Sequence, residues 1–129
     1  MPIQKFLNPE YIIKQVAISE NSIVADFGAG LGKYAEKISS DVGSQGKVYI
    51  IEIQKDVLGR VKNDFEEKGI KNVEYINADL EYKNGSKIKD GIVDVVVIAS
   101  VLFQSLKKEE IIKEAMRILT PNGRILIVE

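Results

Sequence analysis

The chain has no cysteine, no histidine and no tryptophan in its 129 residues. Without cysteine there is no disulfide framework and no thiolate metal site. Without histidine the commonest general base and the commonest metal ligand are both missing, so no metal centre is expected. An excess of one charge is missing too, because 18 basic and 19 acidic residues leave a net charge of −1. That is not the basic footprint of a dedicated nucleic-acid binder, although a local patch fits within a balanced total. The sequence contains no apolar run of about 20 residues and no leader pattern, so a cytoplasmic protein without membrane contact is expected. The rest is ordinary for a globular chain, at 45% hydrophobic and 29% charged residues. The length suits one domain spanning 1–129.

The pattern along the chain is alternating strands and helices. Asn8 followed by Pro9 marks a helix start over "NPEYIIKQVAI". "SIVADF" is a short apolar strand, after which Leu31, Tyr34, Ala35 and Ile38 fall at helical spacing. "KVYIIEI" is a second strand. Asp56 opens a helix with Val57, Leu58, Val61 and Phe65 on one face and Gly69 as its stop. "VEYIN" is a third strand, and the polar loop "EYKNGSKIKDG" carries an Asn84-Gly85 turn signal. "VDVVVIAS" is apolar almost throughout, as a strand buried on both faces requires. "KKEEIIKEAMRIL" is a helix with Ile111, Ile112, Ala115, Ile118 and Leu119 inward, broken by Pro121 and Gly123, and "RILIVE" is a fifth strand. Such alternation predicts an α/β fold, a mainly parallel five-stranded sheet with helices on both faces.

In such sheets ligands bind outside the carboxyl ends of the strands, beside the first strand. "VADFGAGLGKYA" lies there. Gly28, Gly30 and Gly32 allow a tight turn and a close backbone approach, and the following helix offers free N–H groups to an anion; a glycine-rich strand-to-helix turn that binds nothing is the alternative. The spacing is not that of a dinucleotide fingerprint, whose third glycine would stand at Lys33, nor that of a P-loop. Glu52, at the end of the second strand, suits a ribose; a solvated strand-end acid is the alternative. Asp79, just past the third strand, suits an exocyclic amine or caps its own turn. All three features fall on one rim, which favours an adenosine-containing ligand without a pyrophosphate.

These segments resemble the class I S-adenosylmethionine-dependent methyltransferases. "VADFGAGLG" is similar to their first motif, "GKVYIIEIQ" to their second strand and "NVEYINADLE" to their third. "GIVDVVVIASVLFQSL" with "EAMRILTPNGRILIVE" resembles their fourth and fifth strands, particularly in the ubiquinone/menaquinone C-methyltransferase-like branch. The resemblance runs through nearly the whole chain. It implies a Rossmann-like three-layer α/β/α sandwich and S-adenosylmethionine as cofactor, with S-adenosylhomocysteine as product. It also implies that Asp26, Gly28, Ala29, Gly30 and Gly32 surround the methionine part, that Glu52 holds the ribose hydroxyls and that Ile53 flanks the adenine. Asp79 would meet the adenine amino group with Leu80 beside the ring, and Ala99 and Ser100 would lie near the methionine amine and the methyl group. Lys33 either meets the cofactor carboxylate or is solvated. Asp94, at the far end of its strand, is structural.

The resemblance implies an enzyme that methylates a small-molecule acceptor. An RNA methyltransferase and a non-catalytic cofactor-binding module are the alternatives. Methyl transfer from a sulfonium needs positioning and exclusion of water more than acid–base help. No catalytic base is assigned, although Tyr11, Tyr34, Asp79 and Glu81 are available. "SVLFQSL" lines the acceptor pocket or is a buried connection. Class I members typically have seven strands, and this chain ends on the fifth, so relative to them the fold is truncated. "RILIVE" is then an apolar edge, and a homo-oligomer formed through it is expected.

Overall fold

The computed structural model describes residues 8–99, 101 and 105–128. Helix α1 (Pro9–Val16) starts as its sequence dictates, with the Asn8 side chain accepting the Glu10 N–H at 2.9 Å and Pro9 in the first turn. It stops at Ala17, which takes the left-handed conformation. Then follow β1 (Ile23–Phe27), α2 (Lys33–Val42), β2 (Lys47–Glu52), α3 (Lys55–Glu67), β3 (Val73–Asn77), β4 (Val93–Ala99), α4 (Lys108–Ile118) and β5 (Leu119–Val128). The strands form one sheet in the order β3-β2-β1-β4-β5, every neighbouring pair parallel. The order reverses beside β1, which pairs with β2 on one side and β4 on the other. This is the Rossmann-like α/β arrangement, and its switch point falls where the glycine loop leaves β1.

Period-two alternation sorts each strand onto two cores. Val24, Val48, Ile50, Val95 and Val97 face α1, α2 and α3, where they meet Ile13, Ile38, Val61 and Phe65. Ala25, Phe27, Ile51, Val96 and Ile98 face the other way, against Ile111, Ala115 and Ile118 of α4. The amino end of β1 is tied to β4 by Asp94, whose Oδ2 accepts the Ile23 N–H at 2.8 Å. This is the structural role expected of Asp94.

Three local expectations are corrected. Leu31 is not on the helix: α2 begins at Lys33, and Leu31 stands in the preceding loop, 81% exposed. Leu119 does not close α4 but opens β5, which starts well before Arg124. Pro121 and Gly123 therefore lie within the strand. They fit because the β4–β5 register shifts between Val93 and Val95, pairing Val93 with Leu119 and Val95 with Arg124. Proline and glycine are tolerated at such an irregularity on an edge strand, where a ladder hydrogen bond is already missing. The polar segment between β3 and β4 has its left-handed Asn84 as the turn signal predicts, and no helix among residues 78–92.

Phe65 is fully buried between α3 and the sheet, edge-on to Tyr75 with ring centroids 6.4 Å apart. Phe65→Ala is expected to cost about 3–5 kcal/mol. That is a large share of a typical domain stability of about 5–15 kcal/mol. Urea denaturation would show it as a lower midpoint with a retained slope.

Candidate functional site

The loop between β1 and α2 holds three left-handed glycines, Gly28 at φ 93°, Gly30 at φ 53° and Gly32 at φ 79°. Their surroundings differ. A Cβ on Gly28 would meet Cγ2 of Val101 at 2.4 Å, and one on Gly32 would meet Phe65 and Val61 at 3.1 Å. Gly30 is exposed and faces open space, with nothing within 4 Å. Gly28 and Gly32 thus let the loop pack against β4's continuation and α3, while Gly30 is where a ligand can meet bare backbone. The loop closes on itself through the Gly32 N–H to Ala29 carbonyl bond of 2.8 Å, and α2 starts with no side-chain cap on its first N–H groups. Those groups and the helix dipole favour an anion at this point.

Beneath the loop lie two carboxyl groups on adjacent strand tips. Glu52, at the end of β2, is only 9% exposed. Its Oε1 accepts the Ala29 N–H at 2.9 Å and its Oε2 accepts the Gln54 N–H at 3.0 Å. It is therefore not a solvated strand-end acid: it braces the glycine loop against β2, and each oxygen retains a lone pair for a further donor. Asp26 is 1% exposed, and its Oδ1 has no hydrogen-bond partner among the described residues. Burial, and then the nearby Glu52 carboxylate, push its carboxyl well above the ordinary carboxylate range. Tyr34, in the first turn of α2, has its phenol pushed up by burial and by Asp26. A phenol is already protonated at neutral pH, and the upward push makes its base-competent anion scarcer still.

Asp79 stands just past β3 on the same rim. Its Oδ1 accepts the Glu81 N–H at 2.9 Å, so the turn-capping contact is made, and its second oxygen has no partner among the described residues. Leu80 turns inward to the core shared with Phe27 and Ile88, whereas Ile53 is 60% exposed beside Glu52. Ala99 ends β4 and is partly buried; Ser100 lies outside the described residues. Lys33 is exposed. Of "SVLFQSL", Val101 packs against the second core and Leu106 is fully exposed; residues 102–104 are likewise outside the described set.

One rim residue carries no sequence signal beyond its place at a strand end. Asn77 Nδ2 donates to the carbonyls of Glu52 and Ile53 at 2.9 and 3.0 Å, fixing the tip of β2 from β3. A concavity of about 2080 Å³ among the described residues runs along α2 and the amino ends of β2 and β3. It is lined by none of Asp26, Gly28, Gly30, Glu52 or Asp79. The rim is the better candidate, because buried unpaired polar groups mark a site and open volume alone does not. Among the described residues no acidic cluster is suited to a metal ion, and no helix is long and apolar enough to cross a membrane.

A model of the methyltransferase domain matches residues 18–129. The chain belongs to this methyltransferase-domain family. It is 32% identical over 107 residues to the ubiquinone/menaquinone biosynthesis C-methyltransferase of Yersinia pestis, covering 82% of this chain and 41% of that one. It is 30% identical over 120 residues to the enzyme of that name from Ectopseudomonas mendocina, covering 92% and 46%. Among solved structures it superposes on a SAM-dependent methyltransferase from Aquifex aeolicus with a TM-score of 0.81 and 27% identity, covering 94% of this chain and 63% of that one. The methyltransferase domain thus spans less than half the length of these two curated relatives.

The buried Asp26 gives a prediction with a definite sign. A carboxyl raised on folding binds its proton more tightly in the folded state, so stability falls as pH rises from the ordinary carboxylate value through the raised one. Asp26→Asn removes that penalty. It is expected to raise the melting temperature of the ligand-free domain at neutral pH, with the gain shrinking as pH drops toward 4. A variant that melts lower than wild type at neutral pH would contradict the burial argument.

Proposed function

We propose that the domain binds S-adenosylmethionine at this rim and transfers its methyl group to a small-molecule acceptor. The observation that carries the reading is the buried carboxyl pair, Asp26 and Glu52, under a glycine loop open only at Gly30. The residues present fit such a group. Asp26 offers an unpartnered buried acceptor, which suits the ammonium of the methionine part. Glu52 offers its remaining lone pairs to a ribose diol. Asp79 offers its second oxygen to the adenine amine while Ile53 covers a ring face, and the start of α2 suits the carboxylate.

When bound, the cofactor supplies a methyl group already activated on sulfur for in-line displacement. The protein's part is to orient, to exclude water and to hold charge. Membership of the methyltransferase-domain family supports methyl transfer, and the two curated relatives, named for quinone biosynthesis, support a small-molecule acceptor. Exposed Leu31, Ile53, Tyr82 and Leu106 all stand on loops that follow strand ends. Apolar side chains placed there suit an acceptor with an apolar body better than a polyanion. Ala99, which ends β4, and Ser100, the next residue in the sequence, remain the proposed neighbours of the transferred methyl. The outer edge of β5 is unpaired among the described residues, and Ile127 is half exposed there. We propose that this edge mediates self-association.

Calorimetric titration with S-adenosylhomocysteine tests the first part. Micromolar binding is expected, and Glu52→Ala should weaken it about a hundredfold through the lost hydrogen bonds to a charged acceptor. A folded wild type that binds nothing would sink the reading. For the second part, light scattering at high concentration should give at least a dimer mass that Ile127→Lys converts to a monomer. A wild type that is already monomeric there would refute the edge contact.

A further inference from the structure

The connection from β3 to β4 carries Asp79 at its start and has no helix to hold it. It also contains two left-handed residues other than glycine, Asn84 at φ 58° and Lys87 at φ 64°. Such conformations persist where surrounding contacts over-determine them. Those contacts come from α4. Glu114, 3% exposed, accepts from both the backbone N–H and the hydroxyl of Ser86, at 2.9 and 2.6 Å. Its two oxygens also take Nε and Nη2 of Arg117 at 2.9 and 2.6 Å. Arg117 extends the grip to Asp90 through Nη1, and its carbonyl accepts the Gly91 N–H at 3.0 Å. Ser86 Oγ in turn accepts the Ile88 N–H at 3.2 Å.

Ser86 follows Gly85, and Gly85 is pressed onto the rim. A Cβ there would stand 2.0 Å from the carbonyl oxygen of Asp79 and 2.7 Å from that of Tyr82. The Gly85 N–H donates to the same Tyr82 carbonyl at 2.9 Å. Tyr82 is itself held from the α4 side by the Lys107 ammonium, 5.0 Å from its ring centre. An unbroken line of contacts therefore runs from the buried Glu114 carboxylate through Ser86 and Gly85 to the Asp79 backbone. Burial alone would raise the Glu114 carboxyl, and the hydrogen bonds from Arg117 and Ser86 outweigh it, holding the group ionised below the usual carboxylate range.

We propose that Glu114 is a positioning residue for purine recognition: through Ser86 and Gly85 it sets where the Asp79 carboxylate stands on the rim. The inference rests on the adenosine reading above and goes beyond it, because Glu114 is remote from the ligand and acts through the loop. Its signature is selectivity. A carboxylate held opposite the exocyclic position distinguishes a 6-amino purine, whose amino group donates there, from a 6-oxo purine, whose oxygen only accepts there and whose donor has moved to the ring N1–H.

The test titrates wild type and Glu114→Gln with S-adenosylhomocysteine and with its 6-oxo analogue, S-inosylhomocysteine, and records melting curves for both proteins. Wild type should prefer the amino form by at least about tenfold, the scale of one well-placed hydrogen bond. Folded Glu114→Gln should lose most of that preference while binding the 6-oxo form nearly as well as wild type. Ser86→Ala, which removes one hydroxyl and no charge, should reduce the preference to a smaller degree, and it gives the readout if Glu114→Gln does not fold. A preference unchanged in the folded variants overturns the positioning role and leaves the cofactor reading intact. A wild type that binds neither compound overturns both.

Discussion

Two carboxyl groups on neighbouring strand tips, both removed from water, are the constraint around which this rim is built. Like charges at close range in a buried setting oppose one another, and neither can be left without hydrogen-bond donors at small cost. The chain resolves this asymmetrically. Glu52 receives two backbone N–H groups, one from the glycine loop and one from the turn into α3, and becomes a strut between them. Asp26 is left with an unpartnered oxygen and a carboxyl pushed upward. Stability is thus withheld at one buried atom, the Asp26 oxygen that lacks a donor among the described residues.

The loop geometry follows from that resolution. Ala29 reaches Glu52 as the backbone turns on leaving β1, and the turn is flanked by Val101, which a side chain at Gly28 would strike, and by Phe65 and Val61, which leave little room at Gly32. The three glycines are alike in the sequence and differ in surroundings: two lie against packed neighbours and one faces open space. The rim also differs from side to side. Toward β2 it is tied by Asn77 and Glu52, whereas beyond β3 it depends on a helix-free segment clamped from α4.

Most of the architecture was legible from the sequence because its signals are local. Apolar runs such as "VVVI" in β4 can satisfy both faces of a buried parallel strand and little else. Asn8-Pro9, Gly69 and Asn84-Gly85 mark their boundaries by backbone chemistry alone. Leu31 misled because an exposed loop leucine happens to continue a helical spacing. The start of β5 was missed because Pro121 and Gly123 read as a break, and only the register with β4 shows that the strand absorbs them as an irregularity. Of the site, Asp26, Gly30, Glu52 and Asp79 were legible as a rim set by strand order. The burial of Glu52, the tie from Asn77 and the inward turn of Leu80 were not, since each depends on contacts between residues distant in the chain.

The strand order also has a consequence in time. β1 sits at the middle of the sheet, and on one side its partner is β4, with Ile23 and Asp94 joined across 71 residues of chain. No two neighbouring strands of this parallel sheet can be joined by a tight hairpin; each pairing closes a long loop before it gains its contacts. Such topologies fold slowly for their size. During synthesis the glycine loop leaves the ribosome well before the wall supplied by β4 and Val101, because β1 and β4 are separated by 71 residues at the Ile23–Asp94 tie. Until then its apolar strand edges are open to other partners.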